Sequence, residues 1–475
     1  MVFSSLEFIF RFFILFLIVY YIAPKRLRNA VLFAGSLIFY AWGEPVYLVL
    51  ILLSILINYR LGFAIARHPR NSHKHRFFFI IAMLYDFGML FLFKYADFFI
   101  GNLNMLLNFA GHTFGFQPVI LKETGLSLPL GISFYTFQIA SYIIDIYKKK
   151  QKPEHSMLNL GVYLCMFPQL IAGPIIVFSD MAKQLQDRTY SLAEFEDGLK
   201  TFVIGLGSKV LLANRIFLLW NNIQVTGFDC ISTPLAWLGA FAYSFQIFFD
   251  FFGYSLMAIG LGKMLGFNIP ENFRYPYIAT SVSDFWRRWH ITLGAWFRDY
   301  IYIPLAGNRC GKLKTVRNLF VVWFLTGLWH GASWNFIIWG LIFFVLISLE
   351  KFFLGKVFRK VPFLGHLYII FLIPLTWIVF AITNGHDLLI YFTRLFPFLN
   401  GSSAGSIYSA DYIDAIKMFG PVFLLCIVFS TPLPAKLYQR FKNNIITLLL
   451  LLGIFWLSIY YLVISSNNPF LYFRF

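Results

Sequence analysis

Long apolar runs alternate with short polar stretches along most of this chain. Several runs approach the roughly 20 residues that an α-helix needs to cross the hydrocarbon core of a bilayer. The clearest are Leu6–Ala23, Phe77–Phe93, Leu367–Ile382 and Ile445–Ile464, with a shorter run at Val46–Ile57. Backbone polar groups in lipid must be hydrogen-bonded within the segment, which favours helices. The pattern therefore predicts an all-α polytopic membrane protein with about 11 transmembrane helices.

The middle of the chain departs from this pattern. Ser179–Lys200 is mixed in charge and predicts an interfacial helix. Glu271–Asn318 is rich in polar, aromatic and cationic residues and contains Pro276 and Pro304, so we expect short or re-entrant helices there. No internal repeat or linker divides the chain, which predicts one domain with three parts: N-terminal helices in residues 1–128, a core with two histidine motifs in 129–350, and C-terminal helices in 351–475.

Charge sets the expected orientation of the chain. Of its 475 residues, 59% are hydrophobic and only 13% are charged, yet the formal net charge is +18. The cations cluster between apolar runs, as at Lys25–Arg28, Arg60–Arg76 and Lys436–Lys442, which is typical of cytoplasmic loops rather than of nucleic-acid binding. Both termini are then predicted to be extracytoplasmic. The four scattered cysteines indicate neither a metal site nor a disulfide framework.

One candidate for chemistry is His330, in the stretch "FLTGLWHGASWN" from Phe324 to Asn335. Polar residues at membrane depth are energetically costly and usually functional. A neutral imidazole can accept a proton near neutral pH, as a general base does. The alternative, from the residue type alone, is a hydrogen-bonded histidine in the helix packing. The flanking Trp329 and Trp334 are typical of packing or of interface anchors.

A second candidate is His290, in "DFWRRWHITLGAWFRDYIYIPLAGNR". Arginine forks match phosphate oxygens and aromatic rings can stack on a flat base. The segment would therefore suit a phosphorylated nucleotide cofactor from the cytosol. A positively charged loop with interfacial tryptophans is the alternative, but the density of both residue types exceeds what topology requires. The residues that we assign to cofactor binding are Arg287, Arg288, Arg298 and Trp286.

Other polar residues predict structural roles. Asp250 lies among phenylalanines in "QIFFDFFGYS", with Gln246 and Tyr254 one helical turn to either side, so we expect a buried hydrogen-bond network. His73 and His75 lie in a cationic stretch without acidic or cysteine ligands nearby, so we expect a solvated loop and no metal.

These segments together resemble the membrane-bound O-acyltransferase family, and within it the bacterial branch of alginate O-acetyltransferase membrane subunits. The resemblance is carried by "LPLGISFYTFQIASYIIDIY", "FPQLIAGPI", "FDFFGYSLMAIGLGKMLGF" and the two histidine motifs, and the opening "MVFSS" and closing "NPFLYFRF" fit the same branch. It implies a ring of helices around a thinned centre. His330 would be the catalytic histidine at the bottom of a central tunnel, and His290 the second histidine of the bacterial branch. The tunnel and supporting residues would be Asp250, Gln246, Tyr254, Trp329 and Asn335.

Three positions depart from the family pattern. Val177 stands where an arginine often follows the glycine–proline motif, and Phe252 and Leu256 replace a serine and an acid. These departures affect the expected contacts with an acceptor or partner. The polymer therefore need not be alginate.

The resemblance implies a reaction without a metal, in which acetyl from cytosolic acetyl-CoA is passed across the bacterial inner membrane to an extracytoplasmic polysaccharide such as alginate. His330 would activate an acceptor hydroxyl, or the serine of an extracytoplasmic serine-hydrolase-like acetyltransferase. His290 would orient the thioester or donate a hydrogen bond to its oxyanion. The alternative within the family is transfer of D-alanine from a carrier protein to teichoic acid. A transporter and a scaffold for a secreted acetyltransferase are the alternatives outside it.

Overall fold

The computed structural model describes residues 1–171, 173–399 and 409–465. Within these ranges the regular structure is helical, without a β-strand, so the predicted all-α class is confirmed. Eight helices in the described residues are long and apolar enough to cross a bilayer: Leu48–Arg67, His73–Lys94, Leu192–Thr226, Thr233–Met264, Trp334–Lys360, Pro362–Ala381, Asp411–Phe429 and Ile445–Ile464.

Four of the five apolar runs that predicted crossings coincide with these eight spans. The fifth, Leu6–Ala23, is helical only from Glu7 to Ile22 and is shorter than the spans. The total of about 11 crossings stays a prediction. The closing motif "NPFLYFRF" lies outside the described residues, and so does the C-terminus whose extracytoplasmic side was predicted.

The first of two compact units comprises Met1 and Glu7–Tyr190. A π-helical segment at Glu7–Phe12 and a 3-10 turn at Lys25–Leu27 accompany its α-helices. These are α1 (Phe13–Ile22), α2 (Arg28–Gly43), α3 (Leu48–Arg67), α4 (His73–Lys94), α5 (Ala96–Phe114), α6 (Ile132–Tyr147), α7 (Met157–Cys165), α8 (Phe167–Leu170) and α9 (Phe178–Gln186).

Two expectations for this part of the chain are wrong. His75 does not lie in a solvated loop: it is buried in the first turn of α4, where its ring stacks on Tyr147 and its Nδ1 lies 2.9 Å from the Ile65 carbonyl oxygen. The helix predicted over Ser179–Lys200 is interrupted after α9, and Ser191 caps a new helix by accepting from the Glu194 N–H. In both cases local hydrogen bonds determine the structure, although the polar composition of the segment predicts a different one.

The second unit comprises Val2–Leu6 and the chain from Ser191 onward. Its helices are α10 (Leu192–Gly207), α11 (Asn214–Thr226), α12 (Thr233–Met264), α13 (Val282–Arg288), α14 (Ile291–Phe297), α15 (Lys312–His330), α16 (Trp334–Leu349), α17 (Gly355–Lys360), α18 (Pro362–Ala381), α19 (Gly385–Leu395), α20 (Asp411–Phe429), α21 (Leu433–Phe441) and α22 (Ile445–Ile464). π-helical segments at Ser208–Ala213, Arg298–Tyr302 and Glu350–Leu354, and 3-10 turns at Phe228–Cys230, Pro276–Ile278 and Pro397–Leu399, accompany them.

The short helices predicted between Glu271 and Asn318 are confirmed as α13 and α14, and their re-entrant character stays a prediction. The predicted single domain with internal boundaries at residues 128 and 350 also stays a prediction.

Helices α10 and α12 form the most extensive helix pair of the second unit. Gly198 faces Gly260, and Gly205 faces Gly253; a Cβ added at Gly253 would lie 2.6 Å from the Gly205 carbonyl oxygen. Small residues let helix backbones approach closely, which favours association in a bilayer, where lipid is as apolar as leucine. This glycine contact fixes α12, the helix that carries Asp250.

Substitution of Gly253 by alanine tests this contact. The added methyl group forces the two backbones apart, so we expect a loss of roughly 1–3 kcal/mol of stability, typical of overpacking. Gly453→Ala in α22 is the matched control, because no described atom outside the neighbouring backbone of α22 lies within 4 Å of its added Cβ. Thermal unfolding in detergent should show a lower midpoint for Gly253→Ala alone. Equal midpoints for the two variants would contradict the proposed role of the contact.

Candidate functional site

The hairpin of α15 and α16 presents His330. Its two helices meet backbone to backbone, because a Cβ added at Gly340 would lie 3.1 Å from the Cα atom of Gly327. Gly331 follows the histidine, and a Cβ there would overlap the Phe336 ring. His330 is the last residue of α15 and is 4% exposed. The tight hairpin thus holds this imidazole at a fixed, buried position.

A hydrogen bond within α15 sets the tautomer of His330. Its Nδ1 lies 2.7 Å from the carbonyl oxygen of Thr326. Because a carbonyl oxygen can only accept, Nδ1 carries the ring proton and donates it, and Nε2 of the neutral ring is unprotonated. The ring centroids of Trp329, Trp339 and Phe380 lie 5.0, 4.9 and 5.6 Å from that of His330. The site therefore offers a proton acceptor in aromatic surroundings.

The backbone at His290 is in the left-handed region, with φ of 45°. This conformation is uncommon for a residue with a Cβ and must be held by its surroundings. The loop before α13 supplies the support: the Ile291 N–H donates to the Asn272 carbonyl at 2.9 Å, and the Arg274 N–H donates to the Arg288 carbonyl at 2.8 Å. The sharp turn between α13 and α14 directs the His290 ring into the interior, where it is 1% exposed.

Asn272, which the sequence analysis did not single out, sets the tautomer of His290. Its Oδ1 accepts from the Thr292 N–H at 3.2 Å and from the Thr292 hydroxyl at 2.9 Å, and lies 3.1 Å from His290 Nδ1. The backbone N–H identifies this atom as the amide oxygen, so Nδ1 of His290 must be the donor. Nε2 of the neutral ring is again the unprotonated nitrogen.

The structure brings the two predicted histidines together. Trp329 contacts both rings, at centroid distances of 6.0 Å from His290 and 5.0 Å from His330. His290 lies outside the eight helices that are long and apolar enough to cross a bilayer. Burial lowers the pKa of its ring well below the usual value, and nearby His330 makes a smaller contribution in the same direction. The His290 ring is therefore neutral at physiological pH.

Trp286, which is predicted to bind the cofactor, packs edge to face against three other aromatic rings. Its ring centroid lies 4.9, 5.6 and 5.0 Å from those of Trp323, Trp339 and Phe343. Seven rings around the site form a group that we call the aromatic cluster: Trp286, Trp323, Trp329, Trp339, Phe343, Trp377 and Phe380. Trp286 thus belongs to the aromatic cluster, and its role in cofactor binding stays a prediction.

The three arginines predicted to bind a cofactor lie on two segments. Arg287 and Arg288 are on α13 next to Asp284, at distances of 3.8 and 3.0 Å from its carboxylate oxygens. Arg298 begins the π-helical segment after α14 and lies 2.7 Å from Asp299. Side chains of Arg287 and Arg298 are 73% and 61% exposed. Each has room to reach a phosphate, in competition with its neighbouring acid.

Glu350 is a positioning residue that the sequence analysis missed. Its carboxylate accepts from the Val282 N–H and, at 2.9 and 2.8 Å, from the Ser283 N–H and hydroxyl. These groups form the first turn of α13, where an anion compensates free N–H groups and the helix dipole. The signal was available, since Glu350 directly follows the apolar run of α16 and an acid at that depth requires a partner.

Asn335 ties the histidine hairpin to α18. Its Nδ2 donates to the carbonyl oxygens of Val379 and Phe380, at 3.3 and 3.0 Å. The Phe380 ring packs on His330. Asn335 therefore holds α18 and its Phe380 ring next to His330, and its role as a supporting residue stays a prediction.

Asp250 is buried in α12 and forms an ion pair with Lys209, which is 1% exposed. Lys209 Nζ also donates to Asn214 Oδ1 at 2.9 Å. From the sequence, the predicted hydrogen-bond partners of this acid are Gln246 and Tyr254. Both are buried on the same helix, where the Tyr254 ring stacks on Phe3 at 4.6 Å. The lysine was missed because it comes from a π-helical segment 41 positions earlier (250 minus 209).

Within the described part of the chain, no three His, Cys, Asp or Glu side chains converge in a group that could hold a metal ion.

Residues 148–393, which include both histidine motifs, match the model of the membrane-bound O-acyltransferase family. The chain is 36% identical to a probable alginate O-acetylase of Pseudomonas putida, covering 100% of both chains. It is 32% identical to a peptidoglycan O-acetyltransferase of Helicobacter pylori, covering 100% of this chain and 98% of the relative. A teichoic acid D-alanyltransferase of Bacillus subtilis is 32% identical over 47% of this chain and 59% of its own length.

A double-mutant cycle tests the Lys209–Asp250 ion pair. Lys209→Met leaves a buried carboxylate without its cation and should cost about 3–5 kcal/mol. Lys209→Met combined with Asp250→Leu removes both charges and should recover most of that loss. Lys417→Met is the control, because its ion pair with Asp414 is 73% and 62% exposed and contributes little. Thermal unfolding in detergent compares the variants; a double variant no more stable than Lys209→Met would argue against the pair.

Proposed function

The chain belongs to the membrane-bound O-acyltransferase family, and from that membership we propose that it moves acetyl from cytosolic acetyl-CoA to an extracytoplasmic polysaccharide. It is a multi-pass membrane acyltransferase. Two relatives that cover its full length are named as O-acetylating enzymes, one for alginate and one for peptidoglycan, which supports acetyl as the transferred group. We place the enzyme in the bacterial inner membrane.

The observation that carries the proposed mechanism is the tautomer of His330. Its Nδ1–H is engaged by the Thr326 carbonyl, so the lone pair that a general base requires is on Nε2 of the neutral ring. We assign Nε2 to take the proton of an acceptor hydroxyl while the hydroxyl oxygen attacks the thioester carbonyl carbon. A carbon–oxygen bond forms, the carbon–sulfur bond breaks, and the departing thiolate receives the proton from His330.

The acceptor hydroxyl belongs either to the polysaccharide or to the serine of an extracytoplasmic serine-hydrolase-like partner. In both cases the group to be activated is an uncharged alcohol, which a neutral imidazole can deprotonate as the attack proceeds. Transfer from a cytosolic donor to an outside acceptor requires a tunnel through the membrane domain, and His330 would lie at its inner end.

Of the two roles that the sequence suggested for His290, orientation and oxyanion donation, we propose only the first. A neutral ring whose Nδ1–H is bonded to Asn272 has no proton on Nε2. It can orient a substrate N–H or hydroxyl by accepting a hydrogen bond, but it cannot donate one to an oxyanion. We therefore retain orientation of the substrates and drop oxyanion donation.

Arg287, Arg288 and Arg298 would hold the phosphates of CoA at the cytoplasmic side. Guanidinium groups bind phosphate oxygens in a bidentate manner, and the side chains of Arg287 and Arg298 are the more exposed of the three. Binding would replace the contacts of these arginines with Asp284 and Asp299. No metal is needed in this scheme.

Transfer of D-alanine from a carrier protein to teichoic acid is the second candidate. The Bacillus subtilis relative named for that reaction covers 47% of this chain, and this partial coverage makes the D-alanyl reaction the weaker proposal. The transporter and scaffold alternatives lose their support, because the family consists of acyltransferases.

Turnover of acetyl-CoA by the purified protein in nanodiscs, with the partner and polymer supplied, tests the proposed function. His330→Ala should reduce thioester cleavage by about 10²–10⁴-fold, the usual contribution of a general base. His386→Ala is the matched control, because that side chain is 81% exposed and should not affect the rate.

Full activity of His330→Ala would overturn the assignment of the base. Cleavage of a D-alanyl carrier thioester, with acetyl-CoA left intact by the wild-type protein, would establish the second candidate instead.

A further inference from the structure

We propose that the indole N–H of Trp339 is the hydrogen-bond donor that stabilises the oxyanion formed during acyl transfer. This inference rests on the proposed function. It assigns a catalytic residue that neither the sequence motifs nor the two histidines supply.

The reaction creates a negative charge on the thioester carbonyl oxygen, and enzymes of this kind stabilise it with preorganised donors. The histidines of this site cannot do so in their neutral form. Each has its Nδ1–H engaged, by the Thr326 carbonyl in His330 and by Asn272 in His290, and neither Nε2 carries a hydrogen. The donor must come from another buried group beside His330.

Trp339 meets this requirement. It is 0% exposed, and its ring centroid lies 4.9 Å from that of His330. Its Nε1–H is buried and has no acceptor among the residues that the structure describes. An unsatisfied buried donor is destabilising, so its presence next to the general base points to an acceptor that arrives with the substrate.

The Trp339 ring is rigidly held, as an oxyanion donor must be. It stacks on Trp377 at 5.7 Å and contacts Phe343 and Phe380 edge to face at 5.0 and 5.1 Å. The next residue, Gly340, is fixed by the backbone contact between α15 and α16. Packing therefore fixes the orientation of the donor before charge develops on the substrate.

Trp286 and Trp377 have the same type of unsatisfied Nε1–H within the described residues. Their ring centroids are 5.6 and 5.7 Å from that of Trp339, whereas the described ring contacts of His330 are with Trp329, Trp339 and Phe380. The geometry therefore favours Trp339 as the donor at the reacting carbonyl.

In the complete step the alcohol oxygen forms a bond to the carbonyl carbon and its proton moves to His330 Nε2. The carbonyl π-electron pair moves onto the oxygen, where the Trp339 N–H donates to it. When the tetrahedral intermediate collapses, the pair returns, the carbon–sulfur bond breaks, and the thiolate takes the proton from His330. Atoms and charge balance without any further reactant.

Replacement of Trp339 by β-(3-benzothienyl)alanine tests the proposal, because sulfur replaces the N–H while the ring keeps its shape. We expect kcat for acetyl-CoA cleavage to fall by about 10²–10³-fold, as on removal of an oxyanion donor. KM and the pH dependence should change little, since binding and His330 are unaffected. The same replacement at Trp220 is the control: it is 2% exposed and packs against Tyr243 and Tyr391, outside the aromatic cluster.

A spectroscopic measurement supports the kinetics. The ketone analogue acetonyl-dethia-CoA, labelled with ¹³C at its carbonyl carbon, should show a downfield carbonyl resonance when bound to the wild-type protein. That shift should be smaller with the benzothienyl variant at 339.

If the replacement at Trp339 left both kcat and the carbonyl resonance of the bound analogue unchanged, the assignment of Trp339 would be overturned. Equal losses of kcat at 339 and 220 would also overturn it, because they would reveal a general packing effect. A wild-type protein that cleaves no acyl thioester would instead remove the proposed function itself, and this outcome is distinct from the other two.

Discussion

Close contact between helix backbones is the constraint on which the second unit depends. Within lipid, apolar side chains gain little by facing one another, so helices are held by tight packing and by polar contacts. Gly205 and Gly253 join α10 to α12, and Gly327 and Gly340 join α15 to α16. The first contact fixes the helix that carries Asp250, and the second fixes the hairpin that carries His330. The glycine positions, which carry no side chain, thus determine where His330 and Asp250 lie.

Polar groups then orient what the glycines position. Glu350 holds the first turn of α13, Asn272 holds His290, and Asn335 links α16 to α18. Each contributes a side chain to a backbone segment that is far from it in sequence. Because an unpaired buried polar group is costly, these residues have little freedom, and neither do the imidazole rings that depend on them. The result is a pair of histidines whose Nδ1–H groups each have a defined acceptor.

The sequence was sufficient for the class of fold, and it singled out the two histidines that the structure brings together around Trp329. Length and continuity of the apolar runs predicted membrane helices, and the density of polar and aromatic residues predicted short helices before His330. Partners such as Lys209 and Glu350 were not predicted, since an ion pair or a helix cap between distant segments leaves no periodic pattern in the sequence. Trp286 illustrates a related point, because composition cannot distinguish a ring that binds a ligand from a ring that packs on Trp323.

The left-handed backbone at His290 has a consequence for how this enzyme can vary. Glycine is the residue that best tolerates φ of 45°, yet glycine would abolish the imidazole, and most other side chains would add backbone strain. Selection on the ring and selection on the backbone therefore act in opposite directions at this one position. Random mutagenesis will find few acceptable replacements here, and a loss of activity at residue 290 will report on conformation as well as on chemistry.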